Sequence, residues 1–206
     1  MTTLPRIPTL SDANQMMVEA ERMNPGPWVD HSRYAAQAAE LIAQRDPRLD
    51  PSTAYILGYL HDIGRREGVT DLRHTLDGYR YLSSQGYEDA ARICLTHSFA
   101  VADLRAYAGE WDCSSEDLEF LKYYLSTIEY HVYDRLIQLA DTLAATNGYW
   151  LIEKRLVDVA LRHGVSAMTV DKWRAKLEIQ KQFETAIGES IYNLLPGVVE
   201  NTFRKD

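Results

Sequence analysis

An all-α fold is what this chain predicts, on three observations. Apolar residues recur at three- and four-residue intervals along nearly the whole sequence, the period of an amphipathic helix. No stretch sustains the apolar-polar alternation of a half-buried strand. Capping residues and stops containing Pro or Gly divide the helical pattern into separate segments. With 206 residues, 46% hydrophobic and 25% charged, the chain can bury one substantial core. The expectation is one domain over residues 1–206, with a core at about 28–146 and a C-terminal helical extension at about 149–206.

The elements follow from local chemistry. Ser11 is expected to cap a short first helix that runs towards Met23 and stops at Asn24-Pro25-Gly26-Pro27. From Trp28 to about Gln44 the pattern is rich in alanine, and His31, Ala35, Ala38 and Ile42 share one face. Asp50 as cap and Pro51 at the first helical position open a helix with Ala54, Leu57 and His61 on one side, ended by Gly64. A helix from about Asp71 to Ser84 holds His74 in its first turn, and one from Glu88 to Ser98 puts Ala90, Ile93, Cys94 and His97 on one face. Ser114 and Asp117 have the spacing of a capping box, which opens a helix through Leu118, Leu121 and Leu125. Tyr133 to Thr146 is strongly amphipathic and ends at Asn147-Gly148. Beyond Tyr149 two helices are expected, roughly Trp150 to Arg162 and Thr169 to Ile187, parted by His163-Gly164.

Composition narrows the function classes. A formal net charge of −8 argues against a partner gripped by neutralising many phosphates, so no nucleic-acid polymer is expected. A small anion remains compatible, held by metals or a few arginines. Cys94 and Cys113 are far apart and lack zinc-finger or redox spacing, which makes them reduced thiols. Residues Met1 to Leu10 lack the continuous apolar stretch of a secretory signal, and no later run is long enough to cross a bilayer. No membrane partner and a cytoplasmic location are the corresponding expectations.

Six residues form a candidate metal-binding set: His31, the adjacent His61-Asp62, His74, His97 and Asp141. Imidazole nitrogen with carboxylate oxygen suits Fe, Mn, Ni, Co or Zn, whereas calcium prefers oxygen alone. Asp141 shares a helix side with Ile137, Ala140 and Ala144, where an unpaired carboxylate would be costly and a cation would resolve the conflict. His131 and His163 lack such spacing; His163, just before Gly164, reads as a favourable charge at a helix C-terminus.

A histidine on an Ala-rich helix, then His61-Asp62-Ile63-Gly64 closing an apolar helix, then Ala140-Asp141-Thr142-Leu143-Ala144, resembles the HD-domain metal-dependent phosphohydrolase superfamily over about residues 28–146. The resemblance implies a helical bundle in which His31, His61, Asp62 and Asp141 hold one divalent metal. By the same analogy His74 and His97 complete a second site and Asp62 bridges the two, so one or two ions are expected. Neither of these histidines is followed by the second histidine common in some dinuclear members, and the Gly-Tyr-Pro element of the cyclic-dinucleotide-cleaving subgroup is missing. The implied activity is hydrolysis of a small phosphoester or nucleotide by metal-activated water, with Asp62 as catalytic ligand. Arg65 matches the basic residue that often follows the motif, and Arg65 and Arg66 are the candidate substrate-phosphate ligands.

The resemblance leaves two other activities open. One is that of the di-iron HD enzymes that use dioxygen on a phosphonate or polyol; the phosphonate-cleaving relatives carry a tyrosine and a glutamate in the loop before the first histidine, where this chain reads Asn24-Pro25-Gly26-Pro27-Trp28-Val29-Asp30. The other is a non-catalytic nucleotide-binding module. The helices after Tyr149 are expected to wall the cleft or form the face of a homodimer.

Overall fold

The computed structural model describes residues 6–204; residues 1–5, part of the Met1–Leu10 stretch read above, lie outside the described residues. Helix α1, Leu10–Met23, is capped by Thr9 rather than Ser11. Thr9 has the extended backbone that a cap requires, its Oγ1 accepts from the Asp12 amide at 3.2 Å, and its hydroxyl donates to the Asp12 carboxylate at 2.7 Å. Ser11 already lies inside the helix.

Helix α2, Trp28–Ala43, is lined by alanines that leave room for its neighbour α3, Pro51–Leu60. The approach is close enough that a Cβ on Gly58 would lie 2.8 Å from the Ala36 Cα. Asp50 caps α3 as its sequence position implies, its Oδ1 accepting from the Thr53 amide at 2.7 Å. The helix ends at Leu60, earlier than the expected Gly64, and Ile63–Glu67 form a tighter 3₁₀ turn. Ile63 is fully buried there, and Gly64 presses against the backbone of the next helix, α4, Arg73–Ser83.

Helix α5, Glu88–Thr96, and helix α6, Ser115–Thr127, follow. Ser114 accepts from the Asp117 amide at 3.2 Å, but the other arm of the expected capping box is missing because the Asp117 carboxylate takes Arg80 instead. Helix α7, Val132–Leu143, stops three residues before the expected Thr146. Its continuation is a minimal antiparallel hairpin, β1 Ala144–Ala145 with β2 Gly148–Tyr149, in which Ala144 faces Tyr149 and Ala145 faces Gly148. The two turn residues are Thr146 and Asn147, and Gly148, which opens β2 with φ +138, has a backbone that only glycine adopts readily. Then come α8, Ile152–His163, and α9, Thr169–Ile187, followed by a short α10, Val198–Phe203, that the periodicity did not announce.

The main core gathers Ile42, Leu57, Leu60, Ile137 and Leu143 and extends to Ile152 of α8, Ile179 and Phe183 of α9 and Val198 of α10. Burying a side chain such as Phe183 is worth roughly 1.5–3 kcal/mol, which fastens the C-terminal helices to the others. A smaller cluster, Leu72, Leu76, Leu95, Phe99, Leu121 and Leu125, joins α4, α5 and α6.

A polar tie links α5 to α7. The fully buried Asp134 accepts from Arg92 Nη2 at 2.7 Å, from the Thr96 hydroxyl at 2.8 Å and from the His131 amide at 2.9 Å. Gln138 donates to the Thr96 and Phe99 carbonyls at 2.9 and 3.0 Å, satisfying groups that the end of α5 leaves open. Both thiols, Cys94 and Cys113, are free, and among the described residues no helix is long and apolar enough to cross a membrane.

Candidate metal centre

The centre is assembled from helix ends. His31 sits in the first turn of α2, His61 caps the C-terminus of α3 with Asp62 next to it, His74 is in the first turn of α4, His97 caps the C-terminus of α5, and Asp141 lies on the last turn of α7. The four histidines and Asp62 are buried, and about a fifth of the Asp141 side chain stays open. All six residues named from the sequence meet here.

Two overlapping groups of donors result. His31, His61 and Asp62 form one and Asp62, His74 and His97 the other, each with its ligand atoms within 4.8 Å of one another. Asp62 belongs to both. Asp141 joins the first group through Oδ1, 3.0 Å from His31 Nε2 and 3.8 Å from His61 Nε2.

The hydrogen bonds fix the tautomers. His61 Nδ1 lies 2.7 Å from the Gly58 carbonyl, His97 Nδ1 lies 3.2 Å from the Ile93 carbonyl, and His74 Nδ1 is bonded to the Asp71 carbonyl. A carbonyl oxygen only accepts, so each Nδ1 carries the proton and each neutral ring turns a bare Nε2 lone pair inward. There those lone pairs meet other lone pairs. His74 Nε2 is 3.2 Å from His97 Nε2 and 3.1 Å from Asp62 Oδ1, which is itself 3.5 Å from His97 Nε2. Neither His61 Nε2 nor Asp62 Oδ1 has a hydrogen-bond partner, although both are buried. Orphaned acceptors converging on one point are costly unless a cation lies among them. Four imidazole nitrogens and two carboxylates suit divalent transition metals, and a carbonyl on the far nitrogen, as at three of these rings, is the usual means of aiming a ligating histidine.

The charge states agree with that use. Burial pushes His61 down to about 4, Asp62 only partly opposing it, and burial followed by the Arg65 charge also lowers His74. Both rings are therefore neutral at pH 7, the form in which an imidazole can ligate a metal. Burial alone would raise Asp62, but the Arg65 guanidinium beside it outweighs that and holds the carboxyl well below its usual range. Asp141 is depressed in the same way, burial being overcome by the His31 hydrogen bond and the Lys176 charge. The thiol of Cys94, near this centre, is pushed up by burial and stays protonated.

A cavity of about 470 Å³ opens onto the centre, with His31, Asp62, His74, His97 and Asp141 on its lining. That volume suits a small molecule. Arg65 also lines it; its Nε donates to Asp62 Oδ2 at 2.7 Å and its Nη1 to the Thr70 carbonyl at 3.2 Å, which leaves Nη2 for a ligand. Arg66, expected beside it as a second phosphate ligand, lies elsewhere. Its Nη2 donates to Glu19 at 3.2 Å and its guanidinium stacks 4.0 Å above the centroid of Tyr81, bracing α1. Successive residues of a 3₁₀ turn point about 120° apart, so two consecutive arginines cannot serve the same side.

The helices after Tyr149, expected either to wall the cleft or to form a dimer face, do border it, through residues the sequence did not single out. Arg155 and Arg162 of α8 and Lys172, Trp173 and Lys176 of α9 border the same cavity, as do Trp28 and Tyr107. Lys172 and Lys176 are one turn apart on a helix whose pattern otherwise reads as packing. His163 also borders the cavity at the end of α8, whereas His131 is the N-cap of α7, with its Nδ1 3.4 Å from Asp134.

The family model described as HD domain matches residues 28–146, more than half of the chain. No curated protein and no solved structure gives a significant match.

Proposed function

The chain belongs to the HD-domain family, and from that premise we propose that it is a metal-dependent phosphohydrolase acting on a small phosphoester or nucleotide. The observation that carries this reading is the convergence of three carbonyl-anchored imidazoles on a carboxylate whose Oδ1 has no hydrogen-bond partner, beside a cavity bordered by arginine. His31, His61, Asp62 and Asp141 would hold one divalent ion, and His74 and His97, with Asp62, would hold a second. Ions of this kind supply two things, a water acidified towards neutral pH and neutralisation of phosphoryl oxygens as charge shifts.

The chain's own groups do the rest. Asp62 stays ionised because Arg65 donates to its Oδ2, so it acts as a ligand and not as a proton donor. The free Nη2 of Arg65 binds a phosphate oxygen of the substrate and keeps the ester next to the donor cluster. Tyr107, whose phenol is pushed up by burial, remains protonated on the cavity wall and can donate to an ester oxygen. The bound molecule displaces water from the cavity, which strengthens each of these contacts.

Phosphate release should be measured for nucleotides and small phosphoesters, with the protein loaded in turn with Fe, Mn, Co, Ni or Zn. Release is expected with at least one ion, and should be lost after chelation and in Asp62→Asn. A fully metallated protein inert towards the whole panel would overturn the reading.

A further inference from the structure

The donor cluster takes no ligand atom from α8 or α9, yet these helices bring four cationic side chains to the wall of the same cavity: Arg155, Arg162, Lys172 and Lys176. Asp158 neutralises the arginines in part. It accepts from Arg162 Nε and Nη2 at 3.1 and 2.8 Å and lies 3.6 Å from Arg155 Nη1. Among the described residues neither lysine has a carboxylate within ion-pair distance. Lys176 Nζ donates to the Thr142 hydroxyl at 2.7 Å, and among the described residues Lys172 makes no ion pair.

The lysines stand four residues apart on one helix, where like charges repel. Burial pushes the Lys176 ammonium down to about 8; Asp141 opposes that shift, and the neighbouring Arg155 and Lys172 charges add to it. Burial alone depresses Lys172, which is half-buried. A chain of formal net charge −8 that gathers like charges in a partly desolvated cavity bears a cost that a bound anion relieves. Arg65 is already committed to Asp62 and belongs to the turn after α3. The α8 and α9 cations therefore remain for a different group of the ligand.

We propose that Arg155, Lys172 and Lys176 form a second phosphate subsite, so that the substrate class is a small phosphoester carrying a further phosphoryl group at a position separate from the one cleaved. This rests on the phosphohydrolase reading for the cleaved end and on the α8–α9 cations for the other. Trp28 and Trp173 give the cavity aromatic surface for the carbon framework joining the two.

A matched pair of substrates tests it: hexyl phosphate against 1,6-hexanediol bisphosphate, with butane and octane analogues to vary the spacing. Metal-loaded protein is expected to favour one bisphosphate by about tenfold or more in kcat/KM, mainly through KM, the size expected for one charge-assisted contact. That preference falls towards unity in Lys172→Gln and returns in Lys172→Arg. Independently of turnover, calorimetric titration of chelator-treated protein with inorganic phosphate is expected to give saturable binding that Lys172→Gln weakens by a similar factor. Equal kcat/KM for mono- and bisphosphates, or phosphate affinity indifferent to Lys172→Gln in a variant with unchanged thermal unfolding, overturns the subsite. Absence of turnover together with phosphate binding that follows Lys172 overturns the hydrolase and supports the subsite.

Discussion

Replacing Gly64 by alanine isolates what the turn after Asp62 does for the centre. A Cβ built there lies 1.9 Å from the His74 carbonyl oxygen, 2.4 Å from the Gly78 amide nitrogen and 2.9 Å from the His74 carbonyl carbon. All three are backbone atoms, so no side chain can swing aside. With a tolerable carbon–oxygen contact near about 3.2 Å, the turn and α4 must part by about 1.3 Å. Overpacking of this severity costs roughly 3 kcal/mol, which for a chain of this size lowers the unfolding midpoint by roughly 6–12 °C.

The same displacement carries His74, and metal-ligand distances tolerate only about 0.2 Å. Gly64→Ala should therefore lose metal from the His74–His97 side while His31, His61 and Asp141 keep theirs. The assay is thermal unfolding of chelated protein together with metal per chain after reloading. Gly68→Ala is the control: Gly68 has φ +134 and nothing within 4 Å of a Cβ. It should pay only backbone strain of about 1–3 kcal/mol and keep its metal. A Gly64→Ala protein with wild-type midpoint and metal content would refute the claim that this close contact sets the position of His74.

Three further outcomes are expected. In chelated protein, acid should unfold the chain in two stages: His61 is depressed to about 4 when folded and titrates at 6.5 when unfolded, so its contribution is complete above pH 6.5 and shrinks by about 3 kcal/mol on the way down to pH 4. Asp62 and Asp141, also depressed, lose theirs only below the ordinary carboxylate range near 4. Urea denaturation at pH 7 and 4.5 measures the first stage, and equal stability at the two would sink it. Elemental analysis should find His74→Ala and His97→Ala retaining roughly one ion while Asp62→Ala, which removes the ligand common to both groups, retains none; equal losses in all three would contradict the two-group arrangement. Asp134→Ala strands Arg92 beside a buried void and should cost about 3 kcal/mol by chemical denaturation, discounted because Arg92 keeps 23% of its side chain exposed. A change under about 0.5 kcal/mol would mean that the α5–α7 tie carries no stability.

How much of this could be read in advance depended on the kind of signal. Asp50-Pro51 announces the start of α3 because cap chemistry is local, and Thr169–Ile187 matches its expected bounds because a long uninterrupted period is hard to misread. The six centre residues were legible as types in order, since ligand chemistry restricts each to histidine or carboxylate. His61-Asp62 at the end of an apolar helix and His74 in a first turn were legible too, but the shortening of α3 to Leu60 was not, because it depends on how Gly64 seats against α4, a contact between segments. The cap at Thr9 was available in Thr9-x-x-Asp12 but lay outside the apolar pattern that drew attention to Ser11. Lys172 and Lys176 were silent for a different reason. A lysine on an amphipathic helix ordinarily faces water, and only the packing of α9 beside α7 turns these two towards the cavity.

Three imidazoles in this protein take their aim from main-chain oxygens one turn back on the chain, so the direction of each ring is inherited from the helix that bears it. The aim of these rings is thus set by main-chain groups and not by the side chains of neighbouring segments. A cation bound there would meet ring directions that the backbone already sets, whichever element it is.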